Sequence, residues 1–284
     1  MKIKLITDSA SDVFLNEAND LGIKVIPLKT YFGDEEYLDG VTLSYVDFYN
    51  KLASSKDLPK TSQITPIQYK EAFEEALKDN DYVICITLSK HLSGCNQSAV
   101  LAKNELDNPN IFVIDSENAT IGEKLLVLYA YKLIEKGLDV NKIVELLEKR
   151  KKNIKVLAIL DTLEYLKKGG RISTATALIG SLLSIKPIVS ITEGKVISVG
   201  KARGAKNGSK VLTELIAKNG DIDYDMPYTL AYSGVNNDLL VDYVKNNQDL
   251  FKGSLDTLPV SKIGSTIGTY VGPNAYGVAF FSKN

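Results

Sequence analysis

Apolar and polar positions alternate in blocks along the first half of the chain. Short apolar runs at Lys4-Leu5-Ile6-Thr7, Ile23–Leu28, Tyr82–Leu88 and Ile111–Ile114 read as strands, the third of them fully buried. Between them, helical spacing with start and stop signals predicts helices over Leu43–Ser54, Thr65–Lys78, Gln97–Leu106, Gly122–Lys136 and Val140 to about Lys152. Pro66 falls in the first turn of the second helix, and Gly137 closes the fourth. This alternation predicts a mostly parallel sheet flanked by helices, with any ligand outside the carboxyl ends of the strands. Three of those ends carry hydroxyls or carboxylates: Thr7-Asp8-Ser9, Thr87-Leu88-Ser89 and Asp115-Ser116. Turn and cap chemistry accounts for such residues one at a time. Their joint placement on one rim makes them candidates.

The second half is patterned differently. Val156–Leu160, Tyr228–Tyr232 and Ser254–Val260 read as strands, and Ile185–Ile191 with Lys195–Val199 as a hairpin turning at Glu193-Gly194. Helices are expected over residues 175–183, rich in small and apolar side chains, and over Asp238–Asn247. The chain ends on an apolar run, Gly277–Phe281. The expected fold is α/β with two domains. Residues 1–153 form an N-terminal domain with a mostly parallel sheet, and residues 154–284 an α+β domain with a mixed or antiparallel sheet.

Composition narrows the function classes. The 284 residues are 44% hydrophobic with a formal net charge of -1, which gives no footing for nucleic acid. The two cysteines, Cys85 in a strand and Cys95 near a helix start, do not suggest a disulfide. The first eight residues turn polar too early for a signal peptide, and no apolar run is long enough to span a bilayer. A soluble cytoplasmic protein without stable membrane insertion is expected. No Cys/His/Asp cluster has metal spacing. The one histidine, His91, lies two residues from Ser93 and reads as a surface residue rather than a triad member. Gly264-Ser265-Thr266-Ile267-Gly268 lacks the Lys-Ser/Thr ending of a nucleotide loop. No metal and no cofactor are expected, and no catalytic residue stands out.

The segment with most chemistry is Leu92-Ser93-Gly94-Cys95-Asn96-Gln97-Ser98-Ala99, at a strand-to-helix junction. Unpaired N–H groups at a helix start, with Ser93 and Gly94 beside them, form a seat for a carboxylate or phosphate; equally, Ser93 can simply cap its helix. Thr61, in Lys60-Thr61-Ser62-Gln63, is a loop hydroxyl by its surroundings. Lys167, Lys168 and Arg171 flank Gly169-Gly170, with Arg203 a further basic candidate. They are a solvated turn or a rim that holds an anion or docks an acidic partner.

Taken in order, these motifs resemble the DegV family of bacterial fatty-acid-binding proteins along nearly the whole chain. The resemblance rests on Thr7-Asp8-Ser9-Ala10-Ser11-Asp12, Lys60-Thr61-Ser62-Gln63, Leu92-Ser93-Gly94, Asp115-Ser116, Tyr165 to Ile172, Ile185-Lys186-Pro187-Ile188 and Gly268 to Pro273. It implies a long-chain fatty acid enclosed between two α/β domains, with its carboxylate at Thr61 and Ser93. Gly94 N–H and Tyr270 would complete the donor set. It also implies a non-catalytic role, carrying the acid to a separate ATP-dependent fatty acid kinase that forms an acyl phosphate. On this reading the segment 175–183 is a wall of the acyl tunnel as well as core. Tyr270 stands where the family commonly has His in Gly-Thr-His-x-Gly-Pro-Gly, and Asn274 replaces the final Gly. A phenol donates a hydrogen bond but carries no positive charge near neutral pH. Cys95 either has a lowered pKa at the helix start or packs. The alternative function is a small-molecule phosphotransferase subunit resembling dihydroxyacetone kinase.

Overall fold

The described residues form three sheets. The computed structural model describes residues 1–172, 185–251 and 253–283, so the helix expected over 175–183 lies outside the described residues. The first sheet is fully parallel, in the order β2 (Lys24–Ile26), β1 (Ile3–Asp8), β6 (Tyr82–Thr87), β7 (Ile111–Asp115). Its central strands are apolar on both faces, and Val83, Ile84, Cys85 and Ile86 are wholly buried, as a sheet covered on both sides requires. Helices α1 (Leu15–Asp20), α2 (Tyr45–Ser54), α3 (Pro66–Leu77), α4 (Cys95–Leu106), α5 (Thr120–Glu135) and α6 (Val140–Arg150) accompany it. Thr65 and Gln68 close a reciprocal capping box at the start of α3, with Pro66 in the first turn.

The second sheet is mixed. Its order is β10 (Lys195–Arg203), β9 (Ile185–Thr192), β8 (Ile154–Ile159), β13 (Tyr276–Phe281), β11 (Tyr228–Tyr232), β12 (Val260–Lys262), with only the β11–β12 pair parallel. The strand expected over Ser254–Val260 is instead a 3-10 turn, Leu255–Thr257, and pairing begins only at Val260. Pro259 has no N–H to give a ladder, although its carbonyl accepts from Leu230. Helices α7 (Glu164–Lys168), α8 (Ala205–Lys218), α9 (Asp238–Lys245), α10 (Gln248–Phe251) and α11 (Ser265–Val271) belong to this half.

A third sheet was not anticipated from the pattern. It is antiparallel, in the order β4 (Glu35–Leu38), β3 (Lys29–Phe32), β5 (Lys60–Ser62), and it turns Thr61 from a loop hydroxyl into a strand residue opposite Thr30.

Helix α5 joins the two large sheets. It contacts β1 and β6 on one side and β8, β11 and β13 on the other. Nine of its residues are accordingly buried, Glu123 and Lys124 among them. The main core therefore runs without a break from Ile6 and Ile84 through Leu125 to Val156, Ala279 and Phe281. Among the described residues no helix is long and apolar enough to cross a membrane.

Carboxylates are buried at this junction. Asp8 accepts from the N–H groups of Ala10 at 3.0 Å and Leu88 at 2.9 Å. Asp12 accepts from Gly264 N at 2.8 Å and from Thr120 Oγ1 at 2.6 Å. Asp39 accepts from Ser265 N at 2.9 Å, Ser265 Oγ at 2.7 Å and Thr266 N at 3.2 Å. Asp12 and Asp39 thus cap α11 from the other half of the chain.

Two outcomes follow from these groups. Asp39→Ala strips the cap and leaves buried N–H groups of α11 unpaired, a loss of about 2–4 kcal/mol. A urea midpoint equal to the parent's would show that the cap carries no stability. The second outcome concerns pH. Burial pushes both Asp8 and Asp12 up from 3.8 to about 7, against the hydrogen bonds that pull them down. Folding therefore takes up protons in this window. The stabilisation is complete below the unfolded value and is lost as pH rises through the folded one. Urea midpoints are expected to fall between about pH 4 and about pH 7 and to level off above it; a rise across that interval would contradict the raised values of these two carboxyls.

Candidate functional site

A cavity of about 360 Å³ lies between the rim of the parallel sheet, the third sheet, α11 and the inner face of β8 and β9. Its geometry follows from strand alternation. Val156, Ala158 and Leu160, two residues apart along and just past β8, line it, while Leu157 and Ile159 between them pack into the core behind. Val189, Ile191 and Val196 of the hairpin continue the apolar wall, and Leu28, Leu88 and Ala119 close the opposite side. One face of α11 supplies Thr266, Ile267, Tyr270 and Val271, at helical neighbour spacing. A second hollow of about 50 Å³ adjoins the apolar end, sharing Val156, Ala158, Leu160, Ile267 and Val271 with the cavity.

The polar groups gather where Thr61 of β5 meets Tyr270 of α11. Thr61 Oγ1 and the Tyr270 hydroxyl are hydrogen-bonded at 2.7 Å. The Arg171 guanidinium lies 4.9 Å from the centre of the Tyr270 ring. Arg171 Nε donates to the Leu92 carbonyl at 3.2 Å and Nη1 to the Gly169 carbonyl at 2.7 Å. The bond from Nε ties the Tyr270 cluster to Leu92-Ser93-Gly94 at the start of α4. Gly169 explains part of the motif: a Cβ there would lie 2.4 Å from Tyr270 Cδ1, inside contact distance, so only glycine lets the ring pack against the turn.

Ser93 is not the cap of α4. Gly94 occupies that position, and Ser93, one residue earlier, accepts from Cys95 N at 3.3 Å and points its hydroxyl at Cys95 Sγ at 3.3 Å. A thiol is a weak acceptor, so the Ser93 hydroxyl is easily redirected. The structure therefore brings Thr61, Ser93, Gly94 and Tyr270 onto one cavity. It divides the basic residues. Arg171 lines this cavity, and Arg171 with Lys168 lines a second one of about 330 Å³ that also shares Thr61 and Tyr270. Lys167 lines neither, and Arg203 is exposed at the far end of β10, opposite Ile185. The strand-end residues act mainly as ties. Asp8 holds Leu88, Ser89 Oγ donates to the Gly194 carbonyl and Ser116 Oγ to that of Asn118.

Two lining residues escaped the sequence reading. Thr120 holds φ at 50°, an unfavourable region for a β-branched residue, and its hydroxyl is pinned on Asp12. Thr266 lines the cavity with a buried hydroxyl that finds no hydrogen-bond partner among the described residues. A one-turn spacing from Tyr270 was the only signal available for it. Asn274 sits at φ 62°, a left-handed conformation that Asn adopts more readily than most non-glycine residues. The backbone at the Gly-Pro turn therefore survives the replacement.

The description "Uncharacterised protein, DegV family" belongs to a family model that matches residues 2–283. The chain belongs to the DegV family. A DegV domain-containing protein of Caldanaerobacter subterraneus subsp. tengcongensis is 34% identical over 285 residues, covering 99% of both chains. Among solved structures, the fatty-acid-binding DegV-family protein from Thermus thermophilus superposes with a TM-score of 0.88 at 30% identity, covering 99% of this chain and 100% of the other. DegV of Bacillus subtilis, described as a fatty acid binding protein, gives a TM-score of 0.84 at 29% identity over 98% of both chains.

Cys95 packs rather than reacts. Burial pushes its thiol up to about 12, with the nearby Asp8 adding to the rise, and burial also raises Cys85 well above the ordinary thiol value. Both are free and buried. Neither is expected to react with a thiol reagent near pH 8 until the protein is denatured. Rapid labelling of one thiol in the native protein would show that the start of α4 opens.

Proposed function

We propose that this DegV-family chain carries a long-chain fatty acid, its tail along the apolar cavity and its carboxylate at Thr61, Ser93, Gly94 and Tyr270. The carrying observation is the cavity itself: apolar walls along its length, with hydroxyls and a guanidinium gathered at one end. In this reading the acid lies between a domain of residues 1–153 and one of 154–284, and no cofactor takes part. Its chemistry suits an amphiphile. Each buried CH₂ gains about 0.8 kcal/mol, so a chain of roughly fourteen methylenes gains about 11 kcal/mol before the costs of association. The apolar walls offer a small polar ketone no such gain. The relatives that bind fatty acids support the same reading.

The carboxylate needs donors, because an unpaired buried charge is costly. Thr61 and Tyr270 are bonded to each other, so one of their two protons is already used. The pair offers the ligand one proton while it stays intact. Ser93 offers a second, by turning from Cys95 Sγ, and the N–H of Gly94 a third. The polar end also adjoins the second cavity, which is the route by which a separate ATP-dependent kinase reaches the carboxylate to form an acyl phosphate. The chain then acts as substrate carrier and is not itself the catalyst.

Delipidated protein tests this by calorimetric titration with hexadecanoic acid. Ser93→Ala is expected to bind tenfold or more weakly, about 1.5–3 kcal/mol for a hydrogen bond to a charged group. Thr61→Ala and Tyr270→Phe should each cost less, because the surviving hydroxyl turns to the ligand. The double variant should lose more than the two singles together. Unchanged affinity in Ser93→Ala and in the double variant, with folding intact, would remove these residues from the site.

A further inference from the structure

Two threonines on the cavity wall take no part in the polar cluster around Tyr270. Thr266 lines the cavity four residues before Tyr270 on the same face of α11, about 6 Å along the helix axis. It is 2% exposed, and its hydroxyl has no hydrogen-bond partner among the described residues. A buried hydroxyl without a partner is costly. The N–H groups around it are already taken, Gly264 N by Asp12 and Ser265 N and Thr266 N by Asp39. The start of α11 thus has no free backbone donor to offer, and only the side-chain hydroxyl is open. Thr120 belongs to the same stretch of wall through one buried carboxyl. It donates to Asp12 Oδ2 at 2.6 Å, while Asp12 Oδ1 holds Gly264 N, two residues from Thr266. Having given up its proton, Thr120 Oγ1 remains an acceptor. Thr120 also keeps φ at 50°, a strained value for a β-branched residue, of the kind that concentrates at ligand sites. It lines the adjoining hollow of about 50 Å³ as well, so the wall leaves spare room beside it.

We propose that Thr120 and Thr266 form a second polar subsite along the cavity, which takes the hydroxyl of a fatty acid hydroxylated within its chain. The proposal rests on the fatty acid reading above and narrows its ligand class. Thr266 turns about χ1, between the two wells open to threonine in a helix, and donates to the ligand oxygen. The ligand hydroxyl donates in turn to Thr120 Oγ1, whose own proton lies on Asp12. All three hydroxyls are then paired, and Asp12 anchors the chain of bonds. An unsubstituted tail covers Thr266 with CH₂ groups and leaves it without a partner. An extended tail advances about 1.3 Å per carbon, so about 6 Å beyond Tyr270 corresponds to roughly the fifth or sixth carbon.

The test titrates delipidated full-length protein with three ligands of one chain length: hexadecanoic acid, its 6-hydroxy derivative and its 16-hydroxy derivative. The 6-hydroxy acid is expected to bind about tenfold more tightly than hexadecanoic acid, and the 16-hydroxy acid to show no such gain. Thr266→Val keeps the shape of the side chain and removes its hydroxyl. In that variant the 6-hydroxy acid and hexadecanoic acid should bind within about twofold of each other. Thr266→Ser should keep the advantage. The ratio of two ligands within one variant cancels any change in folding. A 6-hydroxy acid that binds the parent protein no more tightly than hexadecanoic acid, with the latter bound normally, overturns the subsite and leaves the fatty acid carrier standing. An equal gain for the 16-hydroxy acid, or a full advantage surviving in Thr266→Val, also overturns it. Failure to bind any of the three overturns the carrier reading as well.

Discussion

Two aspartates hold a helix that does not belong to their part of the chain. Helix α11 is seven residues long and reads Ser-Thr-Ile-Gly-Thr-Tyr-Val, with four β-branched residues, Thr266, Ile267, Thr269 and Val271, and a glycine in its middle. Neither its length nor its composition supports a helix in isolation. Asp12, just past β1, and Asp39, just past β4, take the N–H groups of Gly264, Ser265 and Thr266, and Thr30 of β3 reaches Ser265 Oγ at 2.9 Å. The helix start is thereby fixed against the N-terminal half, and one turn later Tyr270 arrives beside Thr61. The polar end of the cavity exists because of this cap.

The remaining parts of the site lean on Tyr270 in turn. Gly169 approaches one part of the ring closely and the Arg171 guanidinium stands over it, so the Lys-Lys-Gly-Gly-Arg stretch works as a clamp as well as a basic turn. Arg171 then extends the contact to Leu92, at the start of the segment that carries Ser93 and Gly94. Strand, helix and loop from distant parts of the chain meet through three side chains, each positioned by the next. A guanidinium over an aromatic ring contributes about 0.5–2 kcal/mol. Its larger effect is geometric, since it gives the boundary between the two cavities a fixed positive charge.

Much of this chain was legible before any coordinates. The runs at Tyr82–Thr87 and Ile111–Asp115 are strands of a parallel sheet, because continuous apolar runs between helices have few other solutions. Pro66 and Thr65 announced α3 through cap chemistry that is local in sequence. The hairpin at Glu193-Gly194 followed from its turn residues. Asp8, Asp12, Thr61 and Ser93 were visible as motifs, and the family resemblance implied that Thr61 and Ser93 meet a fatty acid carboxylate. Local signals missed what is not locally encoded. The third sheet consists of strands of three or four residues, too short for alternation to register, and Thr61 lies on the shortest. Arg203 shares a basic stretch in sequence but is carried away along β10.

Sequence by itself determined most strands of the two large sheets, most helices, the parallel order of the first sheet and most of the candidate polar residues. These depend on interactions between near neighbours: apolar periodicity, caps and turns. Tertiary structure alone decided that α11 is a helix, that Thr61 and Tyr270 share a hydrogen bond, and that Arg171 divides an apolar cavity from a basic one. Each of these joins residues far apart in the chain, 209 positions in the case of Thr61 and Tyr270. No local preference encodes such a pairing. It is fixed only when the long-range burial of Asp12 and Asp39 sets the two halves against each other.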